Sequence, residues 1–367
     1  MTNQPDPRPG LLDILAYRGG VADAPGFNAP IKLSSNENCF GAPEVAKQAI
    51  AKQSSSLERY PDGGAQNLRK ALAKKHDLDV ERIICGCGSD EILQLIGRSY
   101  LRPGDEVLFS AHGFLTYKLI ALQNEAVPVM VPEDDLYANV DRMLAALTSR
   151  TRLVFVANPN NPTGYMMPKA DLLRLHAGLP KHVLLIVDAA YAEYVDDSSY
   201  SCGMELVREH DNVLTTRTFS KVYGLAGLRI GWAYCPQQVA DVLNRVRSPF
   251  NANRLAQAAA LAALNDDGFV QKSADHVRKW RKWLSEEISK TGIRVYPSAG
   301  NFILLGFNGD AKKADAAERF LMDRGLILRG MRGFGLPGFL RLTVGLDNEN
   351  QAFASALSEF MIDYGKT

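Results

Sequence analysis

The sequence predicts an α/β fold: a central, mainly parallel sheet sandwiched by helices, followed by a smaller C-terminal α+β part. Three observations predict it. Short apolar runs without strict alternation recur between residues 66 and 250. Amphipathic stretches separate them, as expected when strands are buried on both faces of a parallel sheet. After Pro249 the texture changes to long helical patterns with scattered strands. The strand-like runs fall at 82–85, 106–109, 127–131, 153–157, 183–188 and 213–217. Helical patterns lie between them at 66–76, 89–101, 114–124 and 169–177. Beyond Pro249, an Ala-rich helix is expected at 255–264 and a longer one, carrying Trp280 and Trp283, at 270–290. Strands at 301–307, 325–329 and 340–344 follow, then a last helix from 348. The expected division is an N-terminal arm over 1–30, a large domain over 31–250 and a small domain over 251–367.

A chain of 367 residues accommodates about two domains. Its apolar fraction of 46% and charged fraction of 23% are those of a globular protein. The net charge of +1 supplies no field that would favour nucleic acid or an anionic membrane surface. No apolar run approaches the ~18 residues of a membrane helix. The polar, Pro-rich N-terminus lacks the features of a secretory signal. Cys39, Cys85, Cys87, Cys202 and Cys235 are scattered and show no metal-site spacing, so reduced thiols, no metal and a cytoplasmic setting are expected.

Polar clusters follow three of the buried runs. Asn158-Pro159-Asn160-Asn161-Pro162-Thr163-Gly164 comes after 153–157, Asp188 and Tyr191 close 183–188, and Thr218-Phe219-Ser220-Lys221 comes after 213–217. Ligands of parallel α/β sheets bind at the carboxyl ends of the strands. A lysine that does chemistry must give up its proton near neutral pH, which burial and a neighbouring cation such as Arg229 favour. Lys221 is therefore a candidate to carry pyridoxal phosphate as a Schiff base. A shielded Asp188 carboxylate needs a counter-charge, which a protonated pyridine nitrogen supplies. The competing reading of Asp188 is a helix cap or loop bond. Gly86-Cys87-Gly88-Ser89-Asp90-Glu91 opens a helix after a strand, where free backbone N–H groups attract anions. With Glu91 in place of a third glycine, the motif suits one phosphate, held with Ser220 and Arg229, better than a dinucleotide. A Ser-capped helix explains the same residues. Arg341, inside an apolar strand, calls for a carboxylate partner, either a ligand's or a structural one. Arg329 and Arg332 are candidates for a second anionic group. A Ser/Lys hydrolase is disfavoured by the missing Ser-x-x-Lys spacing.

These residues resemble the pyridoxal-phosphate aminotransferases of fold type I, whose fold is aspartate aminotransferase-like, and most of all the histidinol-phosphate aminotransferases. The resemblance runs nearly end to end. It is carried by Leu33-Ser34-Ser35-Asn36-Glu37-Asn38, Arg59-Tyr60-Pro61-Asp62-Gly63, Gly88-Ser89-Asp90-Glu91, 158–164, Asp188-Ala189-Ala190-Tyr191, 218–231, Ala299-Gly300-Asn301-Phe302 and 341–345. It implies that Lys221 is the covalent anchor and proton shuttle, that Asp188 holds the pyridine nitrogen, and that Tyr191 and Asn161 contact the phenolic oxygen. Gly88, Ser89, Asp90, Thr218, Ser220 and Arg229 would form the phosphate end, with Phe114 stacked on the ring or, alternatively, part of the core. Tyr60 would reach the phosphate of a neighbouring subunit, implying a homodimer with shared active sites. Arg341 and Asn36 would meet the substrate, with Arg329 and Tyr17 at its phosphate. The partners would be small molecules, an amino donor and a 2-oxo acid.

The implied reaction interconverts L-histidinol phosphate and 2-oxoglutarate with imidazole acetol phosphate and L-glutamate, in histidine biosynthesis. An aromatic amino-acid aminotransferase and a phosphothreonine-type decarboxylase are the rival activities. A cofactor-binding regulatory module without turnover is the rival from another class, and the full transamination set argues against it. Cys39, Arg254 and Arg332 depart from the family pattern, the first in the entry loop and the other two expected at the substrate mouth.

Overall fold

The computed structural model describes residues 21–364 and, before them, residues 5, 7, 8 and 10–14. A short strand, β1 (Ile31–Lys32), leads into two helices, Glu44–Gln53 and Gln66–His76. The main sheet then forms from β2 (Ile83–Gly86), β3 (Glu106–Ser110), β4 (Val127–Val131), β5 (Thr151–Ala157), β6 (Leu184–Asp188), β7 (Val213–Thr218) and β8 (Gly231–Tyr234). Its seven strands lie in the order β2-β8-β7-β6-β5-β3-β4. Only β8 runs against its neighbours. The α/β class and the mainly parallel sheet are as the apolar runs predict.

Burial explains why those runs lack alternation. Leu108, Val154, Val156, Leu185 and Val187 pack into a core on one face. Val107, Phe109, Phe155, Leu184 and Ile186 pack into a second core on the other. Both sides of each strand are therefore apolar. Strand β8 went unrecognised in the sequence. It is four residues long and begins at Gly231, inside a stretch that reads as a ligand-binding loop.

After helix Gln237–Val246, the helix Arg254–Leu264 packs across Glu44–Gln53 and Gln66–His76. The 23-residue helix Asp267–Ser289 follows. Strands β9 (Arg294–Tyr296), β10 (Phe302–Gly306), β11 (Leu326–Ile327), β12 (Arg329–Gly330) and β13 (Phe339–Thr343) then appear, and the chain closes on helix Asp347–Tyr364. Four of these strands form an antiparallel sheet in the order β12-β13-β10-β9. The single strand expected at 325–329 is split, because the chain changes partners at Leu328. Strand β11 pairs in parallel with β1, whereas β12 pairs with β13.

The segment after β1 lies directly against the turn that follows Lys221. Asn38 Nδ2 donates to the Val222 carbonyl at 2.8 Å and to Ser273 Oγ at 3.0 Å. Gly224 has φ +67°, and a Cβ there would stand 2.0 Å from the Gly41 carbonyl oxygen. Only glycine satisfies both the left-handed backbone and this approach. Gly224→Ala is therefore expected to cost at least about 1–3 kcal/mol, read as a lower denaturation midpoint. Gly227→Ala, with nothing within 4 Å, should change stability by less than about 0.5 kcal/mol.

Candidate active site

Strands β2 to β7 point the same way, so their carboxyl ends share one rim. Ala157, Asp188 and Thr216 lie side by side there, with Thr218 ending β7 two residues further on. Above this rim is a cavity of about 610 Å³, walled on the far side by Ser34, Asn36, Arg329 and Arg341. Cavities of this size hold a cofactor and a small substrate.

Asp188 sits on the floor of the cavity, 5% exposed. Tyr117 Oη donates to its Oδ2 and Thr216 Oγ1 to its Oδ1, each at 2.9 Å. Burial pushes this carboxyl above the ordinary carboxylate range, while the two donors pull it back. Tyr117 was not singled out in the sequence. It is fully buried and stacks on Phe155 at 4.5 Å, so it reads as a core aromatic within a helical pattern. The one available signal was that a buried tyrosine hydroxyl requires a partner.

Lys221 follows the β7 rim, its Nζ 5.6 Å from the centre of the Tyr191 ring. The Tyr191 hydroxyl accepts a hydrogen bond from Asn36 Nδ2 at 2.8 Å. Asn161 Oδ1 accepts from Arg341 Nη1, and Arg341 Nη2 donates to the Ser34 carbonyl at 2.8 Å. That arrangement leaves the Asn161 amide hydrogens for a ligand. Phe114 immediately precedes helix Leu115–Gln123, faces the cavity and meets Tyr117 edge-on at 5.9 Å.

The other end of the cavity is a cup of donors. Helix Gly88–Tyr100 begins without a side-chain cap, so its first N–H groups are left to a ligand. Gly88 has φ +79°, and a Cβ there would stand 2.5 Å from Arg229 Nη2. Glycine is what lets the guanidinium lie over the helix start. Arg229 Nη1 donates to Ser220 Oγ at 3.2 Å, and Ser220 N–H donates to Thr218 Oγ1 at 3.1 Å. Ser89, Ser220 and Arg229 all face the cavity. Asp90 is turned toward Thr116, whose hydroxyl donates to it at 3.1 Å. The cup therefore fits a phosphate, and the neighbouring lysine and buried carboxylate fit an aldehyde cofactor with a basic ring nitrogen. Among the described residues no cluster of His, Cys, Asp and Glu is arranged to hold a metal.

The sequence profile of class I and II aminotransferases matches residues 28–357. The chain belongs to that family. It is 51% identical to histidinol-phosphate aminotransferase of Paramagnetospirillum magneticum, covering 97% of this chain and 99% of the relative. The corresponding enzyme of Maricaulis maris is 49% identical over 97% of this chain and 99% of its own. Among solved structures, histidinol-phosphate aminotransferase from Sinorhizobium meliloti, in complex with pyridoxal-5'-phosphate, superposes with a TM-score of 0.86 at 29% identity, covering 91% of each chain. The architecture is that of the fold type I, aspartate aminotransferase-like enzymes.

Some residues singled out in the aminotransferase sequence lie away from the cavity. Tyr60 is 76% exposed and stacks on Phe250 at 4.5 Å, in a surface pocket outside this chain's own site. Tyr17 lies outside the described residues. Arg254 and Arg332 do not reach the mouth where they were expected. Arg254 Nη2 donates to the Tyr60 carbonyl at 2.8 Å, and Arg332 pairs with Asp315 at 2.6 Å on the surface. Cys39 is also off the cavity, and burial pushes its thiol up to about 12.

The buried Asp188 carries a signed prediction. Its folded-state value is raised, so the ionised carboxylate opposes folding. The penalty is absent where the group is protonated in both states, and it grows as pH rises from the unfolded value through the folded one. Ligand-free Asp188→Asn is therefore expected to melt at a higher temperature than wild type near pH 7 and at the same temperature near pH 3. Thermal scans across pH on the ligand-free proteins check this. An Asn variant that is less stable at neutral pH would contradict it.

Proposed function

We propose that this aminotransferase binds pyridoxal 5'-phosphate in the cavity and interconverts L-histidinol phosphate and 2-oxoglutarate with imidazole acetol phosphate and L-glutamate. The observation that carries this reading is the pairing of Arg329 with Arg341 across β12 and β13, both on the cavity wall. Like charges directly opposed across a ladder are unfavourable on their own. They suit substrates that bring two anionic groups, or one large one. Arg341, wedged beside Asn161, takes the α-carboxylate of glutamate and 2-oxoglutarate in a planar fork. Arg329 takes the substrate phosphate and, in the other half-reaction, the distal carboxylate. The names of the near-full-length relatives support histidinol phosphate as the amino donor.

When bound, the cofactor supplies an electron sink that is deepened by protonation of its ring nitrogen. Asp188, which accepts from Tyr117 and Thr216, would keep that proton in place. Lys221 would hold the aldehyde carbon, and its free amine would serve as the base that moves the proton at the substrate Cα. Tyr191 and Asn161 would donate to the phenolic oxygen. Ser89, Thr218, Ser220 and Arg229, together with the helix start at Gly88, hold the phosphate. Tyr60, preset at the surface by Phe250 and Arg254, supports a homodimer in which each copy completes the other's phosphate cup.

Lys221→Ala is expected to abolish turnover and the near-visible absorbance of the loaded protein. Borohydride reduction of wild type followed by peptide mapping should place the adduct on Lys221, and an adduct elsewhere would overturn the assignment. Arg329→Ala should lower kcat/KM for histidinol phosphate by ~30-fold or more while sparing phenylalanine. Arg341→Ala should weaken every amino-acid donor. Equal losses for phosphorylated and unphosphorylated donors in the Arg329 variant would remove phosphate recognition from that residue.

A further inference from the structure

We infer that Asn36 is a positioning residue that aims the hydroxyl proton of Tyr191 into the cavity, acting on the cofactor through that tyrosine; this rests on the pyridoxal-phosphate reading above. The argument is a count of donors and acceptors. Asn36 is 1% exposed and holds a left-handed backbone at φ +55°. Its N–H donates to Thr343 Oγ1 at 2.9 Å, and the Thr343 hydroxyl donates back to Asn36 Oδ1 at 3.2 Å. Because the hydroxyl's proton goes to the amide oxygen, the amide group is fixed with Nδ2 on its other side. That nitrogen carries only hydrogens to share. Across the 2.8 Å contact, the Tyr191 oxygen must therefore be the acceptor. Its own proton is turned away from Asn36. Tyr191 is 3% exposed and lines the cavity, so the phenolic oxygen of a bound cofactor is the acceptor within reach.

Two further features lock this arrangement. The Asn36 carbonyl accepts from Asn301 Nδ2 at 3.1 Å, holding the backbone at the cavity edge. Thr343 lies two residues beyond Arg341 on β13, and residues at that spacing share one face of a strand. The strand that carries the substrate-binding arginine thus also sets the direction of the Tyr191 proton. The sequence reading put Asn36 in direct contact with substrate. It lines the cavity, and its hydrogen bonds tie it to Thr343 and Tyr191.

The sign of the effect follows from charge. A hydrogen bond donated to the phenolic oxygen draws charge from it and weakens its hold on the proton shared with the Lys221 linkage. Removing the bond strengthens that hold, so the pH midpoint of the near-visible absorbance should rise. The test is a spectrophotometric pH titration of the cofactor-loaded wild type, Asn36→Ala, Tyr191→Phe and the double variant. The midpoint should rise by about 0.7 unit in Asn36→Ala, the equivalent of one hydrogen bond, and by more in Tyr191→Phe. The double variant should match Tyr191→Phe alone, because an effect that acts through Tyr191 vanishes once the hydroxyl is gone. Thr343→Val, which frees the amide to rotate, should shift the midpoint in the same direction by a smaller amount and covers the case of an unfolded Asn36→Ala. An unchanged midpoint in both neutral variants, or a further shift from Asn36→Ala in the Tyr191→Phe background, would overturn the inference while leaving the cofactor site intact. A wild type that takes up no pyridoxal phosphate and shows no such absorbance would overturn the cofactor reading, and the role of Asn36 with it.

Discussion

The site depends on one electrostatic constraint: a carboxylate, Asp188, held at the carboxyl end of a strand whose every residue is buried. Water cannot solvate it there, so the surrounding protein must. Tyr117 and Thr216 each give one hydrogen bond, which is not enough to offset burial, and the carboxyl remains raised. A cationic ring nitrogen would complete the shell. The affinity for such a group is therefore built from an interaction that the ligand-free fold leaves incomplete. This is how a binding site can weaken the ligand-free protein that carries it.

The geometry that brings partners to Asp188 comes from sheet order. Strands β5, β6 and β7 are adjacent, so the polar residues ending each run are set side by side. The reversed strand β8 places Gly231 opposite both Gly86 and Thr218. The helix start at Gly88 is thereby brought beside Ser220 and Arg229, and this cup of donors lies next to the lysine turn. Close packing around glycine permits this: a side chain at Gly88 would displace the guanidinium that covers it.

The opposite wall is built by a different sheet and by the segment that follows β1. Arg341 and Thr343 project from β13, and both are tied to that segment, at Ser34 and Asn36 respectively. Asn38 ties the same segment to Val222, one residue beyond Lys221. The 34–38 stretch thus connects Arg341 to Tyr191 and to the turn at Lys221. Its close fit rests on the left-handed backbone of Asn36 and on the side-chain-free contact of Gly224 with Gly41.

Hydrophobic periodicity and the polar residues that end each run are local properties, and they were legible. The buried strands, the rim they form and the roster at Asp188, Lys221, Ser220 and Arg229 follow from the chain alone, since a doubly buried strand must be apolar until it meets solvent or ligand. Partnership is not local. Tyr117 is 71 positions from Asp188, Asn36 is 155 from Tyr191, and Asn36 is 307 from Thr343. No periodicity links residues so far apart, and only strand order and register bring them within hydrogen-bond reach. The same holds for Arg329 opposite Arg341, for Arg254 beneath Tyr60 and for the short strand β8. The sequence determined which chemical groups are present and on which kind of element they sit; tertiary structure decided which of them meet, because hydrogen bonds and charge pairs act over a few ångströms of space whatever the separation along the chain.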